Sequence, residues 1–92
     1  MISETTIRKV RELAIEDVLS PYVRLSRKGL TLMGLCPFHS EKTGSFAVTP
    51  SKNLFHCFSC NRGGDSITFT MEKENLSFSS AVEFIANNHK DI

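Results

Sequence analysis

Two short pairs of metal-binding donors constrain this chain more than any other feature. They are Cys36-Pro37-Phe38-His39 and Cys57-Phe58-Ser59-Cys60, separated by seventeen residues. A two-residue gap lets both donors of a pair turn toward one ion at a tight knuckle, and two knuckles complete a tetrahedron. Three thiolates with one imidazole suit one Zn²⁺, which is borderline-soft and has no redox chemistry. The set uses all three cysteines of the chain. Unrelated thiols or an iron–sulfur centre are the alternatives, and two such pairs in 92 residues argue against the first. His56, beside Cys57, is a rival imidazole. As a ligand it would put two donors on adjacent, oppositely directed strand residues, so the spacing favours His39. Four protein ligands leave no open position for water or substrate, which predicts a structural zinc rather than a catalytic one.

Size makes such a staple useful. A chain of 92 residues forms one small domain, read here as 1–92, with a thin stabilising margin from its core. No stretch approaches the ~18 apolar residues of a membrane span. The start, MISETTIRKV, has acidic and polar residues where a signal peptide has an apolar centre. The expectation is a cytoplasmic protein without disulfides and without a membrane partner.

Overall charge is only +1, but its distribution is uneven. Residues 21–64 carry Arg24, Arg27, Lys28, Lys42, Lys52 and Arg62 against Glu41 alone, a net +5, while both ends are acidic. Zinc with three thiolates adds −1 and leaves this middle basic, which points to a polyanionic partner.

Apolar spacing predicts one or two short helices over residues 4–20, ended at Ser20-Pro21. YVRLS and LTLMGLC then read as a hairpin turning at Arg27-Lys28-Gly29, and FAVT and LFHCF as two more strands around Thr49–Asn53. Gly63-Gly64-Asp65 marks a break. Beyond it, Ile67, Phe69 and Met71 alternate like a strand, while Ile67 and Met71 also suit a helix. Ser77 is placed to cap a last helix with Phe78, Ala81, Val82, Ile85 and Ala86 on one stripe, and Ser80 and Glu83 have capping-box spacing. Lys42-Thr43-Gly44 and Gly63-Gly64 echo catalytic or phosphate-binding motifs but lack the companion residues. No catalysis is expected from this chain on its own.

CPFHSEKTGSF and LFHCFSCNRGGD together resemble the zinc-binding domain of bacterial DnaG-type DNA primases, and the similarity covers nearly the whole chain. The resemblance implies an α+β fold, a small zinc-ribbon antiparallel sheet flanked by short N- and C-terminal helices, with residues 65–73 helical. It also implies a domain that engages single-stranded template DNA and helps select primer initiation sites. Polymerisation would belong to a separate TOPRIM-type domain, with the replicative helicase as a further partner. Gly44 replaces the proline usual in that pattern, Ser59 replaces a glycine, and Pro21 interrupts the helix-to-strand passage.

Single strands are held by cations that track phosphates and by aromatic faces that stack on bases. Lys42 and Arg62 are the leading phosphate contacts, followed by Arg27, Lys28 and Lys52, with Arg24 on the same hairpin. Phe55 or Phe58 is expected to stack, and His56 to contact DNA or support the second knuckle. The alternative is a zinc module that only docks other proteins.

Overall fold

The computed structural model describes residues 2–38 and 44–89. Helix α1 (Glu4–Glu12) starts where the Ser3 hydroxyl accepts from the Thr6 N–H at 3.1 Å. It buries Val10 and stops because Leu13 and Ala14 are extended, with ψ of 143° and 126°. Helix α2 (Ile15–Leu19) then buries Ile15, Val18 and Leu19. The extended pair accounts for the shift of the apolar stripe between the two helices.

Asn53, 38 residues further on, closes the break between them. Its Oδ1 accepts from the Ile15 N–H at 2.8 Å, and its Nδ2 donates to the carbonyls of Leu13 (2.9 Å) and Arg11 (3.1 Å). One side chain thus serves the end of α1 and the start of α2, whose backbone groups would otherwise lack partners.

After the turn at Ser20–Tyr22 the chain runs through Val23, Arg24 and Leu25 without a ladder partner, and strand β1 begins only at Ser26 (Ser26–Lys28). Val23 is buried and Arg24 exposed, but this part of the expected hairpin lies against β2 (Thr31–Gly34) instead of pairing there. A Cβ on Gly34 would sit 2.6 Å from the Arg24 carbonyl oxygen, so the approach requires glycine.

Strands β3 (Phe46–Thr49), β4 (Leu54–Cys57) and β5 (Gly63–Gly64) complete a five-stranded antiparallel meander in the order β1-β2-β3-β4-β5. The register sorts its side chains. Ser26, Met33, Ala47, His56 and Gly63 form one cross-strand row, and Arg27, Leu32, Val48, Phe55 and Gly64 the next. Neighbouring rows face opposite sides. Val48 and Phe55, 0 % and 2 % exposed, identify the inner face, which joins one core with Val10, Ile15, Leu19, Phe69, Val82 and Ile85 of the helices.

Helix α3 (Ser66–Glu74) settles the ambiguous segment as helical. Asp65 caps it by accepting from the Thr68 N–H at 2.9 Å, and Asn75 ends it in the left-handed conformation. Helix α4 (Phe78–Asn88) is capped by Ser77, whose hydroxyl accepts from the Ser80 N–H, so Ser80 supplies the donor of the cap rather than starting it. Phe69 of α3 is the centre of an aromatic group, with ring centroids 5.1 Å from Phe38, 5.4 Å from Phe55, 5.4 Å from Tyr22 and 6.1 Å from Phe46.

The Tyr22 hydroxyl donates to Glu74 Oε2 at 2.6 Å. Burial, then the hydrogen bond to Glu74 and its charge, push the phenol up to about 12. The folded protein therefore holds this proton more tightly than the unfolded chain. The stabilisation is complete below pH ~10 and is lost as pH rises through ~12. Tyr22 is the only tyrosine and there is no tryptophan, so phenolate absorbance reports it alone. The midpoint should lie near 12 in the folded protein and near ~10 in denaturant. An ordinary midpoint in the folded protein would contradict the contact.

Candidate metal centre and the open face of the sheet

Cys36 follows the end of β2, Cys57 ends β4 on the inner row opposite Phe46, and Cys60 lies in the turn leaving β4. That turn is closed on Cys57 from both directions. Its N–H donates to the Arg62 carbonyl at 2.8 Å and its carbonyl accepts from the Asn61 N–H at 2.8 Å. Asn61 is left-handed (φ 63°), a conformation asparagine tolerates better than most residues.

The three sulfurs lie within 4.8 Å of one another, with Cys36 and Cys60 3.8 Å apart. Metal–sulfur bonds of ~2.3 Å at tetrahedral angles place sulfurs ~3.8 Å apart, so the spacing fits a zinc-sized ion. It is far beyond a disulfide bond of ~2.05 Å, and none of the three cysteines is in a disulfide. Burial pushes the Cys36 thiol up to about 12, reinforced by Cys57 and Cys60 and opposed by a backbone hydrogen bond at Phe38. Burial also raises Cys60, but hydrogen bonds from the Arg62 backbone and side chain and from the other two cysteines outweigh it and bring Cys60 down to about 6. A cluster that resists holding several thiolates in the absence of a cation is suited to a divalent one.

His39 and Lys42 lie outside the described residues. Among the described residues the donor cluster is Cys36, Cys57 and Cys60, and His56 is not part of it. His56 occupies the outer row, with its ring 4.7 Å from that of Phe58. Phe55 needs a correction: it is 2 % exposed, stacked on Phe46 at 5.4 Å, and has no free face for a base. Phe58, at 67 %, is the exposed ring.

The cations also separate. Arg24, Arg27, Lys28 and Lys52 are exposed, and Arg24 and Lys28 line a shallow groove with Ser26, Met33 and Leu35 on the outer side of the sheet. Arg27 donates to the Gly29 carbonyl in its own turn. Arg62 instead turns back on the knuckles: its guanidinium lies 5.0 Å from the centre of the Phe38 ring, and its Nε is 3.7 Å from Glu72 Oε2.

Sequence reasoning missed Lys73, which donates to the Pro37 carbonyl at 2.9 Å, and the Ser45–Ser59 hydroxyl pair at 2.6 Å joining the segments beside the two knuckles. The serine at 59, a departure from the resembled pattern, thereby gains a partner. No local signal announces either contact, because each partner is distant in sequence.

A meander sheet carrying a tetrahedrally spaced sulfur cluster at two adjacent turns defines a zinc ribbon. The chain belongs to the CHC2 zinc finger family, in the zinc-ribbon form of DnaG, whose profile matches residues 2–91. It is 45 % identical over 93 residues to a DNA primase of Listeria monocytogenes, covering 99 % of this chain and 15 % of that protein. It is 50 % identical over 88 residues to a DNA primase of Mycobacterium tuberculosis, covering 94 % and 14 %. The chain thus spans about one-seventh of the curated relatives it matches. Among solved structures it is similar to the Aquifex aeolicus primase (zinc binding and RNA polymerase domains), with TM-score 0.83 and 40 % identity over 96 % of this chain and 22 % of that one.

Proposed function

We propose that this chain is the template-contacting zinc domain of a DNA primase. It binds single-stranded DNA and helps choose where a primer begins, while a separate TOPRIM-type domain performs the nucleotidyl transfer. Cys36, Cys57 and Cys60, with His39 as fourth ligand, would hold one structural zinc. The primase catalytic domain and the replicative helicase are the protein partners, in the bacterial cytoplasm.

One observation carries the reading. The helices pack against the inner face of the sheet, and the outer side bears Arg24 and Lys28 along the groove and the exposed His56 and Phe58 rings next to the second knuckle. Cations for phosphates and rings for bases are what a single strand needs. Lys42, Arg27 and Lys52 extend the proposed backbone contacts, while Arg62 is turned toward the knuckles.

A labelled oligonucleotide of about 16 nucleotides should bind with an affinity that falls steeply with salt. Each lost phosphate contact flattens the slope of log K against log salt by ~0.7 for a single strand, so replacing Arg24 and Lys28 together with glutamine should flatten it by ~1.4. Phe58→Ala should weaken binding about fivefold or more at every salt concentration and leave the slope unchanged, since stacking contributes ~1–3 kcal/mol per base. Binding no stronger than that of a charge-scrambled control would reject the DNA reading in favour of a docking module.

A further inference from the structure

We propose that Arg62 is a positioning residue of the metal centre. Anchored to α3 through Glu72, it braces both cysteine-bearing turns and offsets the excess negative charge of the thiolates, and so governs how firmly the metal is retained. The inference rests on the zinc assignment but is independent of DNA binding.

Four contacts converge on this residue. Its guanidinium covers the ring of Phe38, which lies inside the first knuckle between Cys36 and His39. Its carbonyl accepts from the Cys57 N–H at 2.8 Å and so shapes the second knuckle, whose Cys60 its side chain also meets. Its Nε faces Glu72 at 3.7 Å. One residue further along α3, Lys73 donates to the Pro37 carbonyl. Adjacent residues of α3 thus reach the two knuckles separately: Glu72 through Arg62, and Lys73 directly.

The chemistry requires such a partner. Three thiolates and a neutral imidazole around Zn²⁺ carry a net charge of −1, which draws protons and competing cations to the sulfurs. A guanidinium against Cys60 offsets that charge, and its planar face matches the Phe38 ring better than an ammonium would. Losing a partner of metal ligands typically costs 10–100-fold in metal affinity. The Arg62 side chain is 44 % exposed, so solvent screening puts the expectation at the low end.

The test begins with zinc content by elemental analysis of the parent protein. A value far from one ion per chain would overturn the metal reading and this proposal with it. Zinc release from the loaded protein to excess chelator is then followed with a colorimetric indicator. Arg62→Gln should release zinc about tenfold faster than the parent. Arg62→Lys, which keeps the charge but loses the planar contact, should fall between the two. Glu72→Gln should accelerate release by a smaller factor, and the Arg62→Gln/Glu72→Gln double variant should match Arg62→Gln alone, because Glu72 acts through Arg62. If Arg62→Gln does not fold, Arg62→Lys and Glu72→Gln carry the comparison. Release unchanged in these variants, or effects that multiply in the double variant, would overturn the proposal. So would unchanged release with weakened, less salt-dependent oligonucleotide binding, which would make Arg62 a phosphate contact.

Discussion

A strong chelator is expected to lower the Tm of this protein by ~20 °C or more. A small domain has a thin stabilising margin from its core, and a metal at a thousandfold excess over its Kd adds ~4 kcal/mol. For 60–100 residues each kcal/mol moves Tm by ~4–8 °C. The proposed ligands are built into the core: Cys36 and Cys57 are 3 % and 0 % exposed and belong to the same buried cluster as Phe46 and Phe69. Cys57→Ser should reproduce the chelator's effect, and chelator should then do little more to the variant. Acid should act in the same direction. Without metal the Cys36 thiol is raised to about 12 and keeps its proton at neutral pH, so binding must expel it. Metal affinity therefore rises with pH, and metal-dependent stability is lost as pH falls. Calorimetry with and without chelator measures the effect. A shift under ~3 °C would mean that the fold does not depend on the ion.

Asn53→Ala should destabilise the domain by about 4 kcal/mol. The change removes three hydrogen bonds to the break between α1 and α2, each contributing ~1 kcal/mol, and leaves those backbone groups unpaired. It also puts alanine at φ 56°, a conformation that costs ~1 kcal/mol for a residue with a Cβ and no local hydrogen-bonding side chain. Asn53→Gly relieves the backbone part only and should cost less than alanine. Urea unfolding of the zinc-loaded proteins separates the two terms. Equal stability for parent and alanine variant would show that the helix junction does not need the side chain.

The same residue shows where sequence reading stops. Asn53 was legible as a turn residue, but its partners are 38 to 42 positions away, and periodicity has no access to them. The knuckles were legible because both donors of a pair share one turn. Strand β3 appeared at its observed bounds, Phe46–Thr49, because it lies in mid-sheet with one face in the core. Strand β5 did not appear, since Gly63 and Gly64 have no side chains to alternate. Periodicity alone left helix α3 open, though the family resemblance implied it, because Ser66, Ile67, Phe69 and Thr70 are all buried, so more than one of its sides is covered and no clean stripe remains. Phe55 and Phe58 looked equivalent in sequence. Only the pairing of Phe55 with Val48 shows that Phe55 faces the core.

The ends of the meander have a consequence for how this chain behaves in company. An unpaired strand invites another to continue the ladder, and long, flat, apolar rims are the usual seeds of aggregation. Here one rim is Ser26–Lys28, three exposed residues with two cations, and the other is two glycines. Gly64 sits at φ 146°, where a Cβ would strike Thr68, so the backbone turns away there toward α3. Neither rim is a template for strand addition. The sheet is therefore closed to lengthening by a second copy, and the protein should remain dispersed at concentrations where an unprotected meander of this size would begin to fibrillise.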